Sequence, residues 1–233
     1  DTDRSRGLGD VYKRQEIYSN AELYKEGSWL IRPIKTVVDL IPLFDKYEEI
    51  NVLDLGCGVG RNCICIARHY YDRLCKIDCV DILDLAIEKL YANVDEYGVT
   101  SNICGIVKSI DDYQIKERNY DLVMAVSSLE HVDSKETFVN KLREIEHGIR
   151  KNGIVCLVVN SNIKEFDKKT GNEILPQFEV CLPTEEMQRI FEKAFSEWTV
   201  LKFTVVDQQY DIPRDSGICE LKTSVVTFVA KKG

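Results

Sequence analysis

The stretch Asp54-Leu55-Gly56-Cys57-Gly58-Val59-Gly60 limits what this chain can fold into more than any other. Ahead of it, Ile50-Asn51-Val52-Leu53 is short, apolar and β-branched, the pattern of a buried strand. Behind it, Asn62 to Tyr71 has helical character. Strand, glycine-rich turn and helix together make a cradle for a small ligand. Glycine lets the backbone turn sharply and lets a ligand approach where a Cβ would clash. The start of the helix adds free N–H groups and a partial positive charge of roughly +0.5.

The spacing narrows the ligand. A dinucleotide turn needs G-x-G-x-x-G. Here the glycines fall as G-x-G-x-G, and Arg61 fills the slot of the third glycine. A phosphate loop ending in G-K-[ST] is absent. Asp54 at the strand end would repel a pyrophosphate but suits a ligand carrying cations, such as the ammonium and sulfonium of S-adenosylmethionine.

The rest of the chain alternates. Strands are expected at Val52–Leu55, Lys76–Asp81, Ile103–Val107, Asp121–Val126 and Gly153–Val159, with helices between them. Asp84 to Tyr97 places Leu85, Ile87, Leu90, Tyr91 and Val94 on one helical face, and Gly98 follows as a C-cap signal. Asp133 with Glu136 reads as a capping-box-like start. That helix is expected to run through Phe138, Leu142, Ile145 and Ile149, ending at Lys151-Asn152-Gly153. Strands alternating with helices of this length give an α/β, Rossmann-like doubly wound parallel sheet. The tail breaks the pattern. Thr184 is expected to cap a helix, and two strand-like runs, Trp198–Val206 and Thr223–Ala230, follow with no helix between them. That predicts an antiparallel end to the sheet. Ser161–Pro183 and Gln208–Leu221 read as long loops near where ligands sit in such a sheet, either binding loops or mobile surface.

At 233 residues the chain suits one α/β domain with a small appendage. Residues 1–15 include Ser5 to Gln15, which resembles translated sequencing adapter, and are set aside as a non-native or disordered tail. Residues 16–48 are expected to form an N-terminal helical cap, from which Trp29 and Arg32 could touch substrate, and 49–233 the main domain. A net charge of −8 weighs against nucleic acid or an anionic membrane as the main partner. With no membrane-length apolar run and no signal peptide, the expected location is cytoplasmic. Nine scattered cysteines without a C-x-x-C pair read as reduced thiols, with no metal site expected.

Cys79-Val80-Asp81-Ile82 supplies the second anchor. A carboxylate at the end of the second strand can accept from both hydroxyls of a ribose, and Ile82 can pack on an adenine. With D-L-G-C-G-V-G-R-N, V-D-I and Y-D-L-V-M-A-V-S-S-L-E-H-V in this order, the chain resembles the class I S-adenosylmethionine-dependent methyltransferases. G-R-N, and Leu182-Pro183-Thr184-Glu185-Glu186-Met187 followed by Trp198, are similar to the tellurite-resistance methyltransferases and their small-molecule relatives. The resemblance implies a seven-stranded sheet, mostly parallel, with an antiparallel last strand. It also implies methyl transfer from S-adenosylmethionine to a small molecule.

The implied cofactor residues are Asp54, Gly56, Cys57, Gly58, Gly60, Asn62, Asp81, Ile82, Ser109, Ile110, Ala125 and Ser127. Asp54 would lie near the ammonium, and Ala125 and Ser127 beside the methyl donor. Arg61 at a helix start opposes the helix dipole, which hints at a carboxylate or an anionic substrate nearby. Glu130 and His131 follow the fourth strand, with Glu130 a substrate residue and His131 the candidate general base. The alternative for His131 is a structural histidine bonded to a backbone carbonyl. A nicotinamide-dependent oxidoreductase or epimerase, and a non-catalytic S-adenosylmethionine-binding protein, are the alternative functions. The protein is expected to be a monomer or homodimer.

Overall fold

The computed structural model describes residues 22–28, 30–214 and 217–233. The strands are β1 (Glu49–Leu55), β2 (Leu74–Asp81), β3 (Ile103–Val107), β4 (Tyr120–Val126), β5 (Ile149–Asp167), β6 (Glu173–Ile174), β7 (Thr199–Arg214) and β8 (Gly217–Lys231). The α-helices are α1 (Lys35–Leu40), α2 (Cys63–His69), α3 (Asp84–Glu96), α4 (Lys135–Gly148) and α5 (Thr184–Ala194). The principal strands lie in the order β3-β2-β1-β4-β5-β8-β7, with β6 a short addition beside β5. Neighbours from β3 to β5 are parallel, whereas β8 pairs antiparallel with both β5 and β7. The expected architecture, with seven principal strands and an antiparallel last one, is the one observed.

Period-two burial explains the two layers. On β1, Ile50 and Val52 face one side with Phe44, Ile64, Leu90 and Val94 of the helical face formed by α1 to α3. Leu53 and Leu55 face the other, against Phe138 and Leu142 of α4 and Phe191 of α5. Strand order reverses between β1 and β4, which opens a crevice at the carboxyl ends of these strands, where ligands bind in open α/β sheets.

Four local expectations are corrected. Ser134, not Asp133, caps α4, accepting from Thr137 N–H at 3.1 Å. Helix α4 stops at Gly148, and Ile149 already pairs with Tyr120; the irregular register that follows carries Asn152 at φ 67°. Pro183, not Thr184, precedes α5, because the Thr184 hydroxyl is engaged with Ser161 and Asn162. Of the two expected long loops, Gln208–Leu221 is largely sheet, and Ser161–Pro183 is strand at its start and at Glu173–Ile174. Strand β5 continues to Asp167, and β7 and β8 form a hairpin paired from Thr199↔Lys231 to Arg214↔Gly217. Alternating polar and apolar residues past Val159 and Val206 conceal the strands, because this arm lacks a continuous apolar run. The arm projects beyond the carboxyl ends of the parallel strands and walls the crevice on one side.

The N-terminal cap is less helical than expected. It consists of turns at residues 22–28 and 30–34, then α1 and a 3-10 turn at Ile41–Phe44, where Pro42 sits. Leu23, Leu30, Val37 and Phe44 are nonetheless buried in the same core as β1 and β2. Residues 1–21 and Trp29 lie outside the described residues.

Candidate active site

The glycine loop leaves β1 and folds back onto β2. Gly56 N–H and Cys57 N–H both donate to Val80 O, at 2.8 and 3.0 Å. Gly58 N–H donates to Asp81 Oδ2 at 2.9 Å, and Gly60 N–H to Cys57 O at 3.1 Å. These four donors are engaged within the protein, so the loop does not offer them to a phosphate. The side chains at this end include the carboxyls of Asp54 and Asp81, which suit a cation.

Two glycines are required by packing. Gly56 sits at φ 76°, and a Cβ there would lie 2.3 Å from Ser128 Cβ. Gly60, at φ 97°, would bring a Cβ to 2.7 Å from side-chain carbons of Ile64 and Leu90. Ser128 is therefore part of the cradle's frame, and its hydroxyl donates to Leu55 O at 2.7 Å. The sequence does not single it out, because a serine after a strand carries no signal of its own.

Asp54 lies beneath the loop, 2% exposed, and its Oδ2 has no hydrogen-bond partner among the described residues. Burial, and then the nearby Asp81 charge, push its carboxyl up to about 7, while the Arg61 cation pulls the other way. A buried carboxyl with an orphaned oxygen is costly until something donates to it. The ammonium of S-adenosylmethionine would do so, and in this respect the residues present fit that cofactor. Arg61 thus acts on Asp54, the nearby carboxylate that its position at a helix start hints at.

Asp81 ends β2 with both oxygens aimed at backbone. Oδ2 takes Gly58 N–H, and Oδ1 takes Leu83 N–H at 3.0 Å. It ties the loop to the second strand and keeps lone pairs for hydroxyl donors. Ile82 beside it is 47% exposed, an apolar face at the strand end.

After β3, Ser109 closes a turn with Asp112, accepting its N–H at 3.1 Å and donating to Oδ2 at 2.8 Å, and Ile110 is half-buried. Asp111 turns toward Asp133 instead; burial and that charge raise its carboxyl to about 6. Ala125 packs wholly in the core, leaving only its backbone for a ligand, whereas Ser127 stands just past β4 at φ 52°.

The N-terminal segment is clamped to the cradle. Asn62, at the start of α2, accepts Ile34 N–H at 3.1 Å, and the Tyr24 hydroxyl donates to Arg61 O. Asn93 Nδ2 donates to Val59 O at 2.8 Å from α3. Arg32 is exposed.

Past β4 the acceptor side is built from residues far apart in sequence. Glu130 is fully buried; its Oε1 accepts from Asn160 N–H at 3.3 Å and from Asn160 Nδ2, and its Oε2 has no partner among the described residues. Thr223 Oγ1 donates to Asn160 Oδ1 at 3.1 Å. Burial, then the Glu130 charge, raise the Tyr210 phenol above its usual value, which brings β7 into the group. His131 is bonded to a carboxylate rather than to a backbone carbonyl. Its Nδ1 lies 3.0 Å from Glu179 Oε2, and its ring stacks on Phe178 at 4.9 Å. Asn160, Tyr210, Thr223, Phe178 and Glu179 escape sequence reading because they come from segments read as strand end or loop. The polar Asn160 closing an otherwise apolar strand is the one signal that could have found the group.

Residues 52–153 match the family described as methyltransferase domain. The chain is 28% identical over 149 residues to ajmaline N-methyltransferase of Rauvolfia serpentina, covering 60% of this chain and 50% of that protein. It is 29% identical over 117 residues to carboxy-S-adenosyl-L-methionine synthase of Shewanella sediminis, covering 50% of this chain and 47% of that one. The chain thus spans about half the length of these curated relatives. Its fold matches that of TehB from Haemophilus influenzae with a TM-score of 0.65 at 20% identity, over 86% of this chain and 62% of that one. Among the described residues, no helix is long and apolar enough to cross a membrane, and no cluster of ligating side chains is placed to hold a metal.

Proposed function

We propose that this chain is a class I S-adenosylmethionine-dependent methyltransferase that transfers a methyl group from S-adenosylmethionine to a small-molecule acceptor. The observation that carries the reading is Asp54 Oδ2, a buried acceptor without a donor among the described residues, under a loop whose four N–H groups at Gly56, Cys57, Gly58 and Gly60 are engaged within the protein. A sulfonium cofactor with an ammonium group supplies that donor; a dinucleotide pyrophosphate would add negative charge beside Asp54 and Asp81.

In this reading Asp54 and the loop oxygens receive the ammonium, Asp81 the ribose hydroxyls, and Ile82 the adenine face. Gly56, Cys57, Gly58, Gly60 and Asn62 shape the floor, and Ser109, Ile110, Ala125 and Ser127 the far wall. When bound, S-adenosylmethionine supplies an activated methyl on a sulfonium that leaves as a neutral thioether. The protein's share is alignment and exclusion of water. The wall on the acceptor side is the β5–β7–β8 arm with the segment carrying Phe178 and Glu179. His131, oriented by Glu179, is the candidate base for an acceptor that must lose a proton. The names of the curated relatives, among them ajmaline N-methyltransferase, support a small-molecule acceptor. A cytoplasmic location belongs to the same reading, as does a monomer or homodimer.

The test is calorimetric titration with S-adenosylhomocysteine, followed by mass spectrometry of material that copurifies with the protein. One-to-one binding is expected; a protein that ignores this ligand and binds NADH would overturn the reading.

A further inference from the structure

The carboxyl of Glu130 is fully buried where β4, β5 and the β7–β8 arm meet. Its near neighbours are neutral donors: Asn160 serves Oε1, and Thr223 holds Asn160 in place. Among the described residues no ion pair neutralises it. Glu165, equally buried on the same arm, shows the contrast. Arg214 grips it with two parallel bonds, Nε to Oε1 at 2.6 Å and Nη2 to Oε2 at 2.8 Å. One buried carboxyl on this wall thus has its counter-charge built in, and the other does not. A buried carboxyl with an oxygen left unsatisfied is costly until something donates to it. Oε2 is a buried side-chain oxygen without a hydrogen-bond partner among the described residues.

We propose that Glu130 is the counter-charge for an amine-bearing acceptor, whose N–H donates to Oε2. The proposal rests on the methyltransferase reading above and adds the substrate class to it. A hydroxylic acceptor would fill the hydrogen bond but leave the charge unmatched, and a carboxylated one would meet Glu130 and Glu179 as repulsion. Recognition therefore discriminates by charge first and by shape second.

The experiment uses the full chain saturated with S-adenosylhomocysteine. Piperidine, N-methylpiperidine and tryptamine are compared with cyclohexanol, indole-3-ethanol and indole-3-acetate by saturation-transfer NMR and by calorimetry. The wild type is expected to bind at least one amine ten-fold or more tightly than its neutral or acidic counterpart. Glu130→Gln keeps an oxygen for Asn160 but replaces the carboxylate with an amide. It is expected to lose that preference ten-fold or more, with S-adenosylhomocysteine affinity within two-fold of wild type. Glu130→Asp, which keeps the charge, is expected to retain the preference in part. Equal binding of amines and alcohols by the wild type, no binding of any amine, or an unchanged preference in Glu130→Gln would each overturn the proposal. The wild-type comparison needs no variant, so a misfolded variant leaves the test intact. Failure of the wild type to bind S-adenosylhomocysteine would instead bring down the methyltransferase reading beneath it.

Discussion

Asp54 should cost the empty protein stability, and the cost should depend on pH in a defined direction. Its carboxyl is raised from 3.8 to about 7, chiefly by burial and then by Asp81. A shift of about three units corresponds to about 4 kcal/mol. The sign follows from proton counts. Between pH 4 and pH 7 the native state holds a proton on Asp54 that the unfolded chain has lost. Stability contributed by this group therefore falls as pH rises through that window. About 2–3 kcal/mol of the loss develops between pH 5 and pH 8. Asp54→Asn keeps the shape and removes the titration. Melting of the ligand-free wild type and variant, followed from pH 5 to pH 8, is expected to show the variant gaining on the wild type. The gain should reach roughly 5–10 °C across this range for a domain of this size. The same variant should lose ten-fold or more in affinity for S-adenosylhomocysteine, because the ammonium loses its carboxylate. A stability difference that does not change with pH would refute the reasoning, since it would mean that Asp54 does not titrate where burial places it.

Three further outcomes follow from the same geometry. Affinity for S-adenosylhomocysteine should fall about ten-fold from pH 8 to pH 6, because the ligand selects the ionised form of a group titrating near 7, and calorimetry in buffers of different ionisation enthalpy should detect proton release at pH 7. Gly56→Ala, with its Cβ 2.3 Å from Ser128 Cβ at φ 76°, should cost about 2–4 kcal/mol, read as a fall of roughly 5–15 °C in melting temperature. Arg214→Met should cost about 3 kcal/mol in chemical denaturation by stranding Glu165, and Glu165→Leu added to it should recover most of the loss.

Much of the nucleotide half was legible in the sequence because its signals are local. A β-branched run, a glycine turn and an acid at the next strand end lie within Ile50–Ile82, and each is dictated by short-range backbone needs. The loop's hydrogen bonding was less legible. Gly56 is needed to clear Ser128, a residue 72 positions away, and no spacing rule reports such a contact. The acceptor side was mostly hidden. Glu130 was visible as a polar residue after β4, but its burial depends on Asn160 and Thr223, which sheet pairing brings in from β5 and β8. The arm itself escaped notice because Asp207-Gln208-Gln209-Tyr210 lacks the apolar run of a core strand; it is held by ladder bonds to β8. Capping was misplaced by one residue at two helices, where Ser134 and Pro183 stand beside the more conspicuous Asp133 and Thr184.

The account stands on one claim: the oxygens of Asp54 and Asp81, gathered at the carboxyl ends of β1 and β2, hold S-adenosylmethionine. Asp81→Asn keeps an acceptor for one of its two backbone partners while removing charge from the ribose position. Calorimetric titration of wild type and Asp81→Asn with S-adenosylhomocysteine at pH 8, with melting curves to confirm both are folded, tests it directly. One site per chain in the wild type and affinity weakened about ten- to hundred-fold in the variant is the expected result. Equal affinity in the two proteins would contradict the claim.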